Sequence, residues 1–332
     1  MKKNYVFIGI DVSQETLDVH LHSLDQHFVV ENSTTGFATL LERTCELSKC
    51  KCSELFICFE HTGKYSKMLS VFLYSQKIMF AMEPALKIKK SLGMTRGKND
   101  KVDAKRIAKY AYEKRENLLP TILPGQEIDR IKSLLSLRDK LVKHNTAYKN
   151  GLTGLNDCYK EGENEMIIQV QTRLIENLNE EIIVIENEIN RIIEQSPSMF
   201  RNFKLVLSVK GIGKINAYYI IAYTANFTLF TNARAFACYC GIAPFESSSG
   251  KTKGKTKVHY YANKKLKSLL DRAATSAIRS KGEMKMYYEK RVKELGKNKR
   301  STINIIRNKI VYRVFATVNR GTPYVDIFKF AA

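Results

Sequence analysis

The chain has 332 residues, more than one ordinary hydrophobic core holds, and this length predicts two or three domains. Its 55 Lys and Arg residues against 33 Asp and Glu give a net charge of +22, which favours a polyanion partner over a small metabolite. No apolar run approaches the roughly 20 residues that span a bilayer, and the N-terminus lacks a signal-peptide pattern. We therefore expect a cytoplasmic, nucleoid-associated protein with nucleic acid, and no membrane, as its partner.

The first 120 residues alternate between apolar runs and amphipathic segments. The predicted strands cover 5–11, 17–22, 27–31, 55–60 and 78–82. The predicted helices cover 35–47, 64–75, a segment opened by Pro84, and 100–116 with Asn99 as N-cap. A three-stranded meander followed by helix, strand, helix, strand and helix predicts an α/β domain of the ribonuclease H-like type, and Pro120 and Pro124-Gly125 mark its end.

Residues 121–197 predict a helical arm. Gly151 and Gly154 are expected to break it into a hairpin, and Pro197 ends it. Its apolar seam has the spacing of a coiled coil and consists of Ile168, Ile175, Leu178, Ile182, Ile185, Ile189 and Ile192. We expect this seam to oligomerise the protein, because an uncovered seam would expose an apolar stripe. The alternative is an amphipathic helix packed on its own domain.

The remaining residues, 198–332, predict a mainly α-helical domain that carries most of the excess positive charge. Residues 251–320 hold 21 basic and 4 acidic side chains, a net charge of +17, and a smaller basic cluster covers 87–115. Gly211 and Gly213 form a Gly-x-Gly turn that resembles a helix-hairpin-helix, although such turns also serve as plain connectors. Besides these glycines, the predicted nucleic-acid contacts are Lys251, Lys253, Lys255, Lys257, Lys264 and Lys265.

The seven cysteines do not predict a disulfide framework in a chain of this length without an export signal. The cluster between Cys45 and Cys58 could be read as a zinc site, but it lacks a paired two-residue spacing. Cys58 lies within an apolar run, where a thiol usually behaves as a small core residue. We therefore expect reduced thiols.

Four carboxylates stand at positions where a fold of this type can bring them together. Asp11 and Glu60 end two predicted strands, while Asp100 and Asp103 share one face at the start of a helix. Like charges repel, so such a cluster is unfavourable without a cation, and a pair of Mg²⁺ ions about 4 Å apart resolves this. The four residues therefore predict a phosphoryl-transfer centre; singly, each could be a surface or capping carboxylate.

Ser249 is the second candidate for chemistry. It lies in a Ser/Gly segment directly before the lysine-rich stretch. A serine hydroxyl becomes a nucleophile only when a base or metal activates it and cations stabilise the phosphate under attack. Composition alone is equally typical of a flexible linker.

Several motifs along the chain closely resemble the DEDD transposases of the insertion-sequence one-ten family, which are related to the Piv DNA invertase. The N-terminal motifs are Gly9-Ile10-Asp11-Val12-Ser13, Leu17-Asp18-Val19, Glu60-His61-Thr62-Gly63-Lys64-Tyr65 and Asn99-Asp100-Lys101-Val102-Asp103-Ala104. The C-terminal motifs are Gly211-Ile212-Gly213, Phe236-Ala237, Gly241-Ile242-Ala243-Pro244 and Ser248-Ser249-Gly250. The match follows the family's order over essentially the whole chain.

The resemblance implies a RuvC-like domain over 1–120, a coiled-coil arm over 121–197 and a transposase domain over 198–332. It implies that Asp11, Glu60, Asp100 and Asp103 bind Mg²⁺. Ser249 would attack a DNA phosphodiester, with Ser248 as an alternative. It further implies donor and target DNA, a noncoding bridge RNA, and a homo-oligomer, a dimer that becomes a tetramer on DNA, whose protomers share active sites.

Three functions compete at this point. The first is an RNA-guided serine recombinase that cleaves and rejoins DNA strands. The second is a RuvC-like Holliday-junction nuclease in which water attacks and Ser249 has no role. The third is a nonenzymatic nucleic-acid-packaging protein that uses only the basic C-terminal quarter.

Overall fold

The computed structural model describes residues 5–91, 99–158, 164–230, 232–245 and 262–326, together with three residue pairs of short strands between 248 and 258. The chain divides into two compact units, an N-terminal unit of residues 1–123 and a C-terminal unit of residues 124–332. None of the described helices is long and apolar enough to cross a membrane.

The N-terminal unit contains one sheet and four α-helices in the described residues. Its strands are β1 (Val6–Val12), β2 (Thr16–Leu21), β3 (Gln26–Glu31), β4 (Leu55–Glu60) and β5 (Met79–Glu83). Its helices are α1 (Thr34–Ser48), α2 (Lys64–Ser75), α3 (Ala85–Ser91) and α4 (Asp100–Glu113). The predicted bounds of β4 and α2 are confirmed, as is the Asn99 cap, whose side chain accepts a hydrogen bond from the Lys101 amide at 3.0 Å.

The sheet is mixed, with strand order β3-β2-β1-β4-β5. The first three strands form an antiparallel meander, and β1, β4 and β5 run parallel. The predicted α/β architecture of this unit is therefore confirmed.

Strand alternation divides the core of this unit into two layers. On one face Ile8, Ile10 and Ile57 pack against α1 and α2, and on the other face Phe7, Phe56 and Cys58 pack against α3 and α4. Because strand residues two apart share a face, Asp11 lies on the α4 side with Phe7, and Glu60 lies there with Phe56 and Cys58.

The C-terminal unit is mainly helical. Its helices are α5 (Gln126–Cys158), α6 (Glu165–Gln195), α7 (Pro197–Leu207), α8 (Lys214–Thr224), α9 (Ala233–Tyr239), α10 (Lys264–Arg279), α11 (Glu283–Glu289) and α12 (Lys299–Arg320). A short π-helical segment, Lys290–Glu294, follows α11. Helix α8 is apolar on all sides and lies in the centre of this core.

The predicted arm is an antiparallel hairpin of α5 and α6. Helix α5 continues through Gly151 and Gly154, so the prediction that these glycines break the helix is wrong; in a helix with packed neighbours, two glycines only lower its stability. The hairpin is held by Arg130–Glu188 at 2.6 Å, Arg138–Glu186 at 2.7 Å and an Asn145–Asn179 hydrogen bond at 2.6 Å.

The seam of α6 faces its own chain. Ile185, Ile189 and Ile192 are buried and share a core cluster with Ile128 and Leu135 of α5. The expectation that this seam is an exposed stripe awaiting a second protomer is therefore wrong at these positions, because α5 already covers them. Packing within one chain, the alternative interpretation, accounts for the spacing.

Candidate active site

A row of carboxylates lies across one end of the sheet. Asp11 pairs directly opposite Asp18 in the β1–β2 register, and Glu60 pairs directly opposite Glu83 in the β4–β5 register. Asp11 and Glu60 each come one residue after the paired residues Ile10 and Phe59, so the two acids are neighbours on adjacent parallel strands. We call Asp18, Asp11, Glu60 and Glu83 the carboxylate edge.

Gly9 brings helix α4 to this edge. A Cβ atom at Gly9 would lie 2.1 Å from the Ala108 backbone nitrogen and 2.3 Å from the Ala104 carbonyl oxygen, distances that no side chain tolerates. The helix can thus lie directly on β1 two residues before Asp11. This contact places the N-terminal turn of α4, with Asp100 and Asp103, beside the carboxylate edge.

The outer and inner acids of the edge differ in their partners. His27 Nε2 lies 2.8 Å from the Asp18 Oδ1 atom, and Lys87 Nζ lies 2.8 Å from the Glu83 Oε1 atom. Within the described part of the chain, no basic nitrogen lies within 4.0 Å of the carboxylates of Asp11 or Glu60. The two central carboxylates are therefore the ones left to bind a cation.

Burial and the charges of neighbouring acids both act on the two central carboxylates. Burial, followed by the negative charges of Asp100, Asp103, Glu60 and Asp18, raises the pKa of Asp11 to about 6. Burial also raises the pKa of Glu60, with Asp103 adding to the rise and Lys89 opposing it. A carboxyl whose ionisation is opposed by its neighbours gains the most from a bound cation.

The donor set suits magnesium, which prefers carboxylate oxygens. As the side chains lie, however, no group of three Asp, Glu, His or Cys among the described residues is close enough to hold a metal ion. Arg106 Nη1 lies 2.8 Å from the Asp103 carboxylate and forms an ion pair with it. Coulombic repulsion acts over longer distances than the ligand bonds of about 2.1 Å, so ion binding requires these side chains to turn toward one another.

Sequence reasoning missed Asp18 and Glu83 as members of the edge. The length of the β1–β2 turn could have revealed Asp18, because this short turn sets the register that places Asp18 opposite Asp11. Apolar periodicity alone does not give pairing partners. Glu83 was missed because the predicted strand stopped at Met82, one residue early.

The serine candidates lie in short strands of the C-terminal unit. Ser248 pairs with Lys253 and Ser249 with Thr252, in an antiparallel pair whose backbone alone is described. Lys251 and Lys255 lie outside the described residues, and Lys257 pairs with Phe245.

The other predicted nucleic-acid contacts lie at two helix starts. Lys264 and Lys265 begin α10. Gly211 has φ +92°, and a Cβ there would lie 2.4 Å from the Ala273 carbonyl oxygen, so close packing on α10 accounts for this glycine. Gly213 caps α8, and its surroundings are open.

Comparison with known proteins agrees with these features. The profile of a DEDD transposase family, described simply as "Transposase", matches residues 8–159. The profile described as "Transposase IS116/IS110/IS902 family" matches residues 203–289. The carboxylate edge lies in the first matched segment and Ser249 in the second.

Curated relatives extend the similarity over the whole chain. The chain is 25% identical to the pilin gene-inverting proteins of Moraxella bovis and Moraxella lacunata, over 98% of this chain and 98% of each relative. It is 24% identical to a probable family 20 transposase of Pseudomonas aeruginosa, over 55% of this chain and 60% of that protein. The chain is thus an enzyme of the transposase and DNA recombinase class. Within that class it belongs to the IS116/IS110/IS902 transposase family.

Proposed function

We propose that the chain cleaves and rejoins DNA strands with Mg²⁺ held by Asp11, Glu60, Asp100 and Asp103. The observation that carries this proposal is a pair of carboxylates at adjacent strand ends, neither with a basic partner among the described residues, with the first turn of α4 beside them. The meander-first mixed sheet with order β3-β2-β1-β4-β5 is consistent with a RuvC-like domain. Bound Mg²⁺ would stabilise negative charge on the scissile phosphate and make a hydroxyl easier to ionise.

Ser249 supplies the attacking oxygen in this proposal. Its Oγ forms a bond to phosphorus while one phosphodiester P–O bond breaks; the serine proton is transferred, directly or through water, to the departing oxygen, so the departing strand ends in a hydroxyl. The phosphoserine ester conserves the energy of the broken bond, so a hydroxyl of another strand can displace Ser249 and restore a phosphodiester. Gene inversion, which the names of the Moraxella relatives state, requires such rejoining.

The partners in this proposal are donor DNA, target DNA and a noncoding bridge RNA that pairs with both. The positive charge of residues 251–320 supports binding to the backbones of these strands. The protein would act as an oligomer in which the tetrad of one protomer meets the serine of another.

A covalent adduct tests the proposal. The assay compares wild-type protein with Ser249→Ala and Ser248→Ala. Each is incubated with Mg²⁺ and labelled DNA that carries the ends of the insertion sequence encoding the protein, with and without RNA transcribed from the noncoding segment that flanks the gene. Denaturing gels should show a protein-linked DNA band for wild type and Ser248→Ala, dependent on the RNA, and none for Ser249→Ala.

Other outcomes select other functions. A band that survives in Ser249→Ala and disappears in Ser248→Ala assigns the nucleophile to Ser248. Cleavage of a four-way junction without any adduct would establish the nuclease alternative, and binding without cleavage in Mg²⁺ would establish the packaging alternative. An adduct that forms equally well without RNA would contradict the proposal that an RNA guides the reaction.

A further inference from the structure

The C-terminal unit contains a cleft whose walls are formed by tyrosines and lysines. Its residues come later in the chain than those of the carboxylate edge. It lies between α5, α8 and the first turn of α10 and has a volume of about 310 Å³. This size is at the lower end of small-ligand pockets. Its chemically distinctive lining, which we call the tyrosine cleft, consists of Asp139, Lys140, Lys143, Tyr219, Tyr223 and Lys265.

The cleft is basic. Lys140 and Lys143 are exposed on one face of α5, three residues apart. Neither has a carboxylate within 4.0 Å among the described residues. Lys265 forms an ion pair with Asp139, so the one acid of the lining is already neutralised. Two lysine ammonium groups therefore remain for an anionic group.

The aromatic wall offers a surface for a planar group. The rings of Tyr219 and Tyr223 are nearly parallel, at 7° with their centroids 5.9 Å apart. Tyr219 is buried, whereas Tyr223 is half-buried and turns part of its ring to the cleft. Stacking on a tyrosine stabilises any nucleic-acid base because every base has a flat π face.

The cleft is linked to the segment that carries Ser249. That segment enters α10 at Asn263, whose Oδ1 atom accepts a hydrogen bond from the Leu266 amide at 3.0 Å. Asn263 Nδ2 donates to the Tyr239 hydroxyl at 3.2 Å, and the Asn263 side chain lies close enough to the Tyr223 hydroxyl to affect its pKa. A strand held at Tyr223 is therefore held beside the point where the serine segment ends.

We propose that the tyrosine cleft binds one unpaired nucleotide of a nucleic-acid strand, with its base against Tyr223 and its phosphate at Lys140 and Lys143. The strand is the DNA or RNA of the proposed recombination, so this inference rests on the proposed function. A nucleotide within a duplex does not bind in this way, because its base is already stacked and paired and offers no free face to Tyr223. The cleft thereby selects a nucleotide that has left its helix.

Photocross-linking tests the site directly. Wild-type protein is irradiated with short single strands carrying one 5-iodouracil, one arm in DNA and one in RNA, and with the matching duplexes. The cross-link should form on Tyr223, within the tryptic peptide 215–234, from a single strand and not from a duplex. The arm that yields it identifies the source of the nucleotide.

Variants then measure the contribution of each wall. Tyr223→Leu should bind the single strand about 5- to 150-fold more weakly, while Tyr223→Phe, which keeps the ring, should bind within a few-fold of wild type. The doubly substituted Lys140→Gln, Lys143→Gln protein should lower the slope of log Kd against log salt by about 0.7 for each phosphate that these lysines neutralise in the wild type. Lys149→Gln, an exposed lysine on the opposite face of α5, is the matched control and should change little.

Two results would overturn the inference. The first is a single strand that binds normally but cross-links nowhere on 215–234. The second is a salt slope of the doubly substituted Lys140→Gln, Lys143→Gln protein that equals the slope of Lys149→Gln. Because Lys140 and Lys143 are exposed, this second result does not depend on the folding of Tyr223→Leu. In both cases wild-type protein can still form the Ser249 adduct, whereas a failure of the proposed function is seen as the absence of that adduct in wild type, so the two failures are distinguishable.

Discussion

The carboxylate edge and the serine segment represent two different ways of placing reactive groups. The acids stand at the ends of buried strands, and the close contact between Gly9 and α4 holds them near each other despite their repulsion. Ser249 lies in a two-residue strand paired with Thr252. The comparison teaches that the acids are held at a cost to stability, so substitutions of these acids should change both stability and activity.

The largest expected effect is on catalysis. Asp11→Asn and Ser249→Ala should each retain nucleic-acid binding but reduce strand cleavage by more than about 1000-fold, because each removes a group that acts on the scissile phosphate. If protomers share sites, mixing the two inactive proteins should partly restore cleavage, which gel assays of the mixture measure.

Asp25→Asn is the control for the charge change itself. This acid is exposed and pairs with Lys105 outside the carboxylate edge, so cleavage should stay close to the wild-type rate. A comparable loss of cleavage in Asp25→Asn would show that general charge, not the tetrad, sets the rate.

The next effect concerns the packing that builds the edge. Gly9→Ala should lower the free energy of unfolding by about 3 kcal/mol or more, because the added methyl group meets the α4 backbone. Gly154→Ala, in open surroundings within α5, should instead raise it by up to about 1 kcal/mol. Denaturant unfolding of both variants measures the contrast, and equal stabilities would contradict the close approach.

A third test sharpens the interpretation of the arm. Ile189→Ser should cost about 2–5 kcal/mol, because it removes a buried side chain and buries a hydroxyl. Ile183→Ser, at a position that is 57% exposed, should cost less than about 0.5 kcal/mol. If Ile189→Ser left unfolding unchanged and only reduced the mass measured by light scattering, the seam would belong to a protomer interface after all.

The smallest effect is the pH dependence of stability in EDTA. The pKa of Asp11 is 3.8 in the ordinary case and about 6 in the fold, so the folded state binds more protons between these values. Stability should therefore fall as pH rises from about 4 to about 6. Above about pH 6 the ionised Asp11 carboxylate destabilises the fold by its full amount. Asp11→Asn should remove this cost and stabilise the protein near pH 7 by about 1–2 kcal/mol after allowance for solvent screening.

The measurement is the difference between the unfolding free energies of wild type and Asp11→Asn across this pH window. A difference that stays constant with pH would show that the fold does not raise the pKa of Asp11. Adding Mg²⁺ should then stabilise wild type more than the variant.

The sequence predicted the parts of this molecule that depend on local pattern. The strand Leu55–Glu60, the helix Lys64–Ser75 and the Asn99 cap follow from apolar periodicity and capping chemistry. Apolar periodicity does not determine which residues pair across a sheet, so the partners of Asp11 and Glu60 appeared only in the structure.

Two further features depend on tertiary contacts. The seam of α6 was recognised, but a heptad pattern does not say whether its partner is in the same chain. The tyrosine cleft escaped prediction because α8 is apolar on every side, and only packing against α5 and α10 distinguishes Tyr223 from a core residue.

The central claim is that Ser249 forms a protein–DNA ester with the help of Mg²⁺ held by Asp11, Glu60, Asp100 and Asp103. Nuclease digestion followed by mass spectrometry of the trapped adduct tests it most directly. We predict a nucleotide attached to Ser249 in wild type with Mg²⁺, and none in EDTA or in Asp11→Asn. An adduct that forms in Asp11→Asn, or that maps to a residue other than Ser249, would contradict the account.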